Sequence, residues 1–307
     1  MNAVQRLSCI TMICSEPDRL ADFYEAAFAF VRTGKAEIIE PAFAKLIGIP
    51  CATARVITLQ LGKQTIELVG IRPPGRPYPH GISGRSSLFQ HFAIVVADMA
   101  AAHARLSAQQ GWTAISTDGP QLLPASSGGV AAYKFRDPEG HPLELIAFPR
   151  DATPKAWQEI STMECLGIDH SAISIADTER SVRFYERLGL RRTGGSLNAG
   201  PEQDKLDGIA GALVEVTALA PPRFATPHVE LLCYRGDFKR ESAPTVGTND
   251  VAATRLVLTV ASDEILKRLC AQSSEAIVSG PVRFEDGSNR AMLRDPDGHL
   301  LCFESSQ

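Results

Sequence analysis

The chain has 307 residues, enough for two ordinary domains. Hydrophobic residues make up 44% and charged residues 21%, the balance of a globular protein that buries a sizeable core. The formal net charge of −4 gives no footing to nucleic acid or an anionic membrane as partner, and no stretch approaches the ~20 consecutive apolar residues that span a bilayer.

The N-terminal MNAVQRLSCITMIC runs straight into a strand pattern, without the apolar core and cleavage site of a leader. A helix follows from Pro17 to Phe30, with Leu20, Phe23, Tyr24, Ala27 and Phe28 at helical spacing and Pro17 in its first turn. Strands are predicted near Arg55–Leu61 and Gln64–Val69. The cycle then restarts, with strand Phe89–Val96, helix Ala97–Gln110, and strands near Val130–Arg136 and Pro142–Phe148. It runs again from strand His170–Ile175 through helix Asp177–Leu188 to strands near Leu213–Leu219 and His228–Tyr234. The last round has strand Thr254–Val260, helix Ser262–Ala271, and strands near Asn289–Arg294 and His299–Glu304. One unit of strand, helix and further strands therefore occurs four times.

The repetition is also literal. Phe23-Tyr24 recurs as Phe184-Tyr185, a shift of 161 residues. Lys45-Leu46-Ile47-Gly48-Ile49 recurs as Lys205-Leu206-Asp207-Gly208-Ile209, a shift of 160, and Asp137-Pro138-Glu139-Gly140-His141 as Asp295-Pro296-Asp297-Gly298-His299, a shift of 158. Matches in constant order and nearly constant offset mark a tandem duplication. The halves are 1–150, with modules 1–79 and 84–149, and 162–307, with modules 165–236 and 250–307. A polar linker at 150–161 separates them.

Both Asp-Pro-x-Gly-His segments read as hairpin turns: Asp bonds its own backbone, Pro presets φ, and Gly takes the φ > 0 position. His141 and His299 end these turns, and the reading is that they are structural. The seven cysteines are Cys9, Cys14, Cys51, Cys165, Cys233, Cys270 and Cys302, an odd number with no CxxC pair. This pattern predicts reduced, mostly buried thiols in a cytoplasmic protein.

A first strand, a helix carrying Phe-Tyr and a later Asp-Pro-x-Gly-His-x-x-Glu together resemble the vicinal oxygen chelate superfamily of glyoxalases, bleomycin resistance proteins and extradiol dioxygenases. The resemblance covers nearly the whole chain. It implies an α+β fold in which four βαβββ modules pair into two cupped, mixed-sheet cavities. It also implies that each module offers a metal two inward positions, one early in its first strand and one in its last strand. Those positions are Cys9 and Glu67 in the first module, His91 and Glu144 in the second, His170 and Glu230 in the third, and Arg255 and Cys302 in the fourth.

Pairing decides what these residues mean. If modules pair in sequence order, one cavity holds Cys9, Glu67, His91 and Glu144, and the other His170, Glu230, Arg255 and Cys302. If the first pairs with the fourth and the second with the third, one cavity collects His91, Glu144, His170 and Glu230, and every departure falls in the other. The substitutions favour this swapped pairing, with one live and one decayed site. Two imidazoles and two carboxylates suit one divalent ion, whether Ni, Zn, Mn, Fe or Co. Such an ion would hold the enediolate of a small α-oxygenated carbonyl compound, with Glu144 first and Glu230 second as general base.

The function this implies is a metal-dependent lyase or isomerase of glyoxalase or epimerase type. The alternatives are an Fe(II) extradiol-type dioxygenase and a metal-free small-molecule binding or resistance protein. Cys9 and Cys302 read as buried small hydrophobes. Arg255 with Glu67 reads as a buried ion pair replacing a lost metal, or as an anion anchor, with the ion pair preferred. Tyr133, Lys134, Phe135 and Arg136 alternate on one strand, of which one side would face the cavity. GIRPPGRPYPHG (70–81) reads as a rigid linker rather than a lid, and GGSLNAGPEQDKLDG (194–208) as a loop that could cover a pocket. Monomer and homodimer both remain open.

Overall fold

The computed structural model describes residues 3–38, 40–158, 164–236, 245–273 and 276–305. The first module runs β1 (Val4–Ile13), α1 (Pro17–Phe28), β2 (Val31–Ile38), α2 (Pro41–Ile47), β3 (Thr53–Leu61) and β4 (Gln64–Arg72). The second runs β5 (Gln90–Val96), α3 (Met99–Ser107), the short β6 (Thr113–Ala114) and β7 (Gln121–Leu122), then β8 (Ala131–Arg136) and β9 (Pro142–Ala147). A single helical turn, α4 (Lys155–Gln158), precedes the third module. That module has β10 (Cys165–Ser174), α5 (Thr178–Leu188), β11 (Arg191–Ala199), α6 (Pro201–Asp207), β12 (Leu213–Ala220) and β13 (His228–Tyr234). The fourth has β14 (Arg255–Val260), α7 (Asp263–Gln272), β15 (Ile277–Arg283), β16 (Asn289–Arg294) and β17 (Leu300–Ser305).

The signals behind these elements are local. Pro17 opens α1, and Leu20, Phe23, Tyr24, Ala27 and Phe28 form its buried stripe. The Asp177 side chain accepts from Arg180 N–H at the start of α5, and Gly189 ends that helix in the left-handed region. The repeated Lys-Leu-x-Gly-Ile motif is the end of a short helix: Gly48 and Gly208 cap α2 and α6 at φ of 71° and 63°, where an L side chain is strained.

The chain forms two mixed sheets, ordered β15-β16-β17-β14-β1-β4-β3-β2 and β11-β12-β13-β10-β5-β9-β8-β6. The first joins the first and fourth modules through the antiparallel pair β1·β14, and the second joins the middle modules through β5·β10. Pairing is therefore swapped, and each half of the duplication contributes one module to each sheet.

Strand alternation sends residues to two destinations. On β5, Phe92, Ile94 and Val96 enter a core shared by all four modules and the helices α1, α3, α5 and α7, while Ala93 and Val95 face the other way. The Asp-Pro-x-Gly-His turns connect β8 to β9 and β16 to β17, with Gly140 and Gly298 at φ of 96° and 99°. His141 Nε2 lies 2.9 Å from the carbonyl oxygen of Ile13, and His299 Nε2 lies 2.9 Å from that of Ser174. Each turn thus reaches across to the other sheet, which is a structural role.

Residues 194–208 are not a loop. They comprise most of β11 and all of α6. Segment 70–81 is packed as a linker, with the Arg76 backbone N–H donating to Asp250 Oδ1 at 2.7 Å and its Nε–H to Oδ2 at 3.0 Å. Residues 159–161 of the linker, and 162–163 at the start of the second half, lie outside the described residues. The linker is also less polar in place than in sequence, because Trp157 on α4 is buried and its Nε1–H donates to Asp169 Oδ1 at 2.9 Å. No helix among the described residues is long and apolar enough to cross a membrane.

Candidate metal centre

The centre of the second sheet carries the four residues expected to gather there. His91 on β5 and His170 on β10 face each other with ring centroids 5.8 Å apart. Glu144 enters from β9, whose parallel register with β5 pairs it to Ala93, and Glu230 from β13, which pairs it to Ala172. His91 Nε2 lies 2.8 Å from Glu144 Oε2, and His170 Nε2 lies 3.5 Å from Glu230 Oε2. One ligand atom each from His91, Glu144 and His170 falls within 4.8 Å of the other two. All four residues line one cavity of about 330 Å³.

The hydrogen bonding at this point is incomplete. Both ring nitrogens of His91 and Nε2 of His170 are buried without a hydrogen-bond partner. The His91–Glu144 contact is short but not aligned as a hydrogen bond, so proximity alone does not satisfy the imidazole. Leaving buried polar atoms unpaired is costly. A cation that accepts one lone pair from each imidazole together with both carboxylates would remove most of that cost, leaving one ring nitrogen of His91 unpaired, so the residues present fit a divalent ion.

A second layer orients the first. Asp169 Oδ2 lies 3.1 Å from His170 Nδ1, which turns the ring so that Nε2 faces the cavity. His228 Nε2 lies 3.4 Å from Glu230 Oε1 and its Nδ1 3.9 Å from Asp169 Oδ2. Asp169, His170 and His228 form a second cluster of potential ligand atoms. The sequence holds the signal for both added residues: Asp169 adjoins His170, and His228 is two positions before Glu230, on the same face of a strand.

Lys134 on β8, paired in register with Glu144, points to the cavity, whereas Tyr133 and Phe135 enter the shared core. Its Nζ is 2.7 Å from Asp207 Oδ1, and Asp207 Oδ2 accepts from Gln203 Nε2 at 2.7 Å and from the Tyr234 hydroxyl at 3.0 Å. A buried ammonium therefore stands beside the carboxylates.

These charges set the protonation pattern. Burial lowers the His91 pKa against the opposing pull of Glu144, which favours the neutral imidazole a ligand must be. Burial works to raise Glu144, but the Lys134 ammonium and His91 bring it below the usual carboxylate value. His170 goes the other way. Burial works to lower it, yet Glu230 and Asp169 hold it up to about 9. Burial works against the Glu230 anion too, but His170 and His228 bring that carboxyl down to about 2. His170 and Glu230 together thus stabilise positive charge at the spot where a cation would replace the proton.

The first sheet repeats the geometry with other residues. Thr11 pairs with Arg255 and Glu67, as Ala172 pairs with His91 and Glu230; Val257 pairs with Cys302, as Ala93 pairs with Glu144. Cys9, Glu67, Arg255 and Cys302 thus occupy the four equivalent positions and line a cavity of about 470 Å³. The expected Arg255–Glu67 ion pair is not formed. Arg255 Nη2 donates to the carbonyl oxygen of Thr248 in the segment before its own strand, while Glu67 Oε2 accepts from Thr11 Oγ1 at 3.1 Å on the neighbouring strand. Glu67 thus finds its partner on the neighbouring strand, whereas Arg255 is only partly paired, its buried Nε–H having no hydrogen-bond partner. Cys302 is buried and Cys9 half-buried, and burial raises the pKa of both thiols, so they stay neutral.

The model of the glyoxalase/bleomycin resistance protein/dioxygenase superfamily matches residues 6–145 and 167–303. Glyoxalase I from Zea mays is similar in structure, with a TM-score of 0.63 at 16% identity over 98% of this chain and 92% of that one. A candidate dioxygenase from Bacillus subtilis has a TM-score of 0.61 at 14% identity, over 99% of this chain and 86% of that one. At such identities the likeness shows the fold. No curated protein sequence matches.

Proposed function

The chain belongs to the glyoxalase/bleomycin resistance protein/dioxygenase superfamily, and on that premise we propose that it is a metal-dependent lyase or isomerase of glyoxalase or epimerase type, acting on a small α-oxygenated carbonyl compound. The supporting observation is the convergence of His91, Glu144 and His170 in a cavity, with buried imidazole nitrogens that no protein group satisfies. With Glu230 they would hold one divalent ion, of Ni, Zn, Mn, Fe or Co. Such an ion supplies Lewis acidity to adjacent substrate oxygens, which acidifies the carbon beside them.

The chain's own residues do the rest. Glu144 and Glu230 flank the cavity as the two proton acceptors. Glu144 is the more enclosed, and Lys134 beside it favours the build-up of negative charge. Glu230 has a side chain 21% exposed against 8% for Glu144, and His228 Nε2 at 3.4 Å offers its proton an onward path. The apolar walls Leu123, Val130, Ile146 and Leu232 limit water around both carboxylates.

One observation favours a second reading. The cluster of His91, His170 and Glu144 holds two histidines and one carboxylate without Glu230, whose Oε1 lies 3.4 Å from His228 Nε2. A set of two histidines and one carboxylate with open positions suits an Fe(II) dioxygenase. Loss of activity in air, restored by Fe²⁺ and a reductant, would select it; indifference to oxygen with Ni²⁺ or Zn²⁺ bound selects the lyase or isomerase.

Metal content by mass spectrometry in wild type, His91→Ala and His170→Ala tests the shared premise. The expected result is about one divalent ion per chain in wild type and none in either variant. Wild type that takes up no metal from any divalent salt would sink both enzyme readings and leave a metal-free binding protein.

A further inference from the structure

The cavity of the first sheet is distinct from the candidate metal centre and has its own chemistry. At its base Arg255 is only 4% exposed. The Nη2 of this residue is taken by Thr248, but its Nε–H has no hydrogen-bond partner, and no carboxylate among the described residues lies within ion-pair distance of it. A guanidinium stays charged, and a buried charge without a counter-ion is unfavourable. Arg290, in the same cavity, is already committed to Asp286 at 2.6 Å. The walls above Arg255 include Phe43, Leu46, Val56 and Val257. Asp286 and Glu304 are both taken up by Arg290, and Glu67 by Thr11, so the cavity joins a planar, incompletely paired buried cation to an apolar wall within a lining that also carries charges.

We propose that this cavity is a second small-molecule site that binds a monocarboxylate, its carboxylate on Arg255 and its apolar tail against Phe43, Leu46 and Val56. The planar fork of a guanidinium matches a carboxylate. Arg255 is a buried positive charge without a carboxylate at ion-pair distance among the described residues, which calls for one negative charge, and a dianion such as phosphate would bring its excess charge towards Glu67. A divalent metal is excluded by the same fixed cation. The positions equivalent to the metal quartet have therefore exchanged cation binding for anion binding. This inference stands whether or not the metal centre has the activity proposed above.

The test uses the full-length protein with butyrate and phenylacetate as probes and the corresponding amides as uncharged controls. Binding is read by calorimetry and thermal shift in wild type, in Arg255→Met, and in a His91→Ala/His170→Ala variant that removes the other centre. The expected result is saturable binding of the acids but not the amides. It should be retained in the double histidine variant and weakened roughly 10- to 100-fold in Arg255→Met. A wild-type readout guards against misfolding of the variants: the acids should slow backbone amide exchange in α2, which carries Phe43 and Leu46 of this cavity, and leave β11 in the other sheet unaffected. No saturable binding, affinity unchanged in a folded Arg255→Met, loss of binding in a folded double histidine variant, or no protection of α2 would each overturn the proposal.

Discussion

The Tyr24 hydroxyl donates to Asp137 Oδ2 at 3.1 Å, joining the helix of the first module to the hairpin turn of the second. Tyr185 and Asp295 repeat the contact, also at 3.1 Å, between the third and fourth modules. The Phe-Tyr and Asp-Pro-x-Gly-His motifs that recur along the sequence are thus two ends of one hydrogen bond, made twice. Each bond links elements of different sheets, so it helps fix how the sheets lie against each other.

Tyr24→Phe keeps the ring and deletes the donor, leaving a buried carboxylate with one partner fewer. The expected loss is about 1.5–3 kcal/mol of unfolding free energy in urea titrations, with metal content unchanged. A loss below about 0.5 kcal/mol, the range of ordinary surface substitutions, would mean that Asp137 is held well enough by its turn alone.

His141 should make stability depend on pH. Its Nδ1 is 2.9 Å from Asp137 Oδ2, and its Nε2 faces the carbonyl oxygens of Ile13 at 2.9 Å and Val251 at 3.2 Å. Both ring nitrogens face acceptors, which calls for the protonated ring. Burial works to lower its pKa, but Asp137 and Ile13 more than offset that, and the folded value is raised. Its stabilisation is then complete below the unfolded value of about 6.5 and is lost as pH rises through the folded value. The stability gap between wild type and His141→Gln should be widest near pH ~6 and narrow towards pH ~9. A constant gap across that window would show that the ring is neutral when folded.

Lys134 and Asp207 are buried partners 2.7 Å apart, with side chains 5% and 1% exposed. Lys134→Met strands the carboxylate and should cost about 3–5 kcal/mol. Adding Asp207→Leu removes the stranded charge, so the double variant should be less destabilised than the sum of the singles. Additive losses in chemical denaturation would argue that the two charges are stabilised separately.

Asp169→Asn leaves the four candidate ligands untouched but removes the carboxylate facing His170 Nδ1. Metal affinity, read by competition with a chelator, should fall about 10- to 100-fold. Unchanged affinity would mean that packing alone orients the His170 ring.

The sequence by itself determines the fourfold unit and the hairpin turns, because these rest on short-range rules; the inward positions follow from the resemblance to the superfamily, carried over module by module. Short, mainly apolar runs mark β5 and β9, helical spacing marks α1, and Asp-Pro-x-Gly presets a turn wherever it falls. The same rules miss β2 and β11, whose residues are exposed almost throughout and so carry no buried-face alternation. They also miss α2 and α6, each only 7 residues long and too short to develop a helical period.

Tertiary structure alone decides what touches what. The pairing of β1 with β14 brings Thr11 against Arg255 across more than half the chain. The substitution pattern favours that pairing, but only the sheets make it. Whether Lys134 or Tyr133 faces the cavity depends on which face of β8 the helices cover. Arg255 meets Thr248 rather than Glu67, and Asp169 and His228 join the histidine cluster, because side chains take the nearest partner the packed strands leave them. Spacing along the chain encodes backbone geometry; the choice among buried polar partners is made across strands distant in sequence, where no local pattern records it.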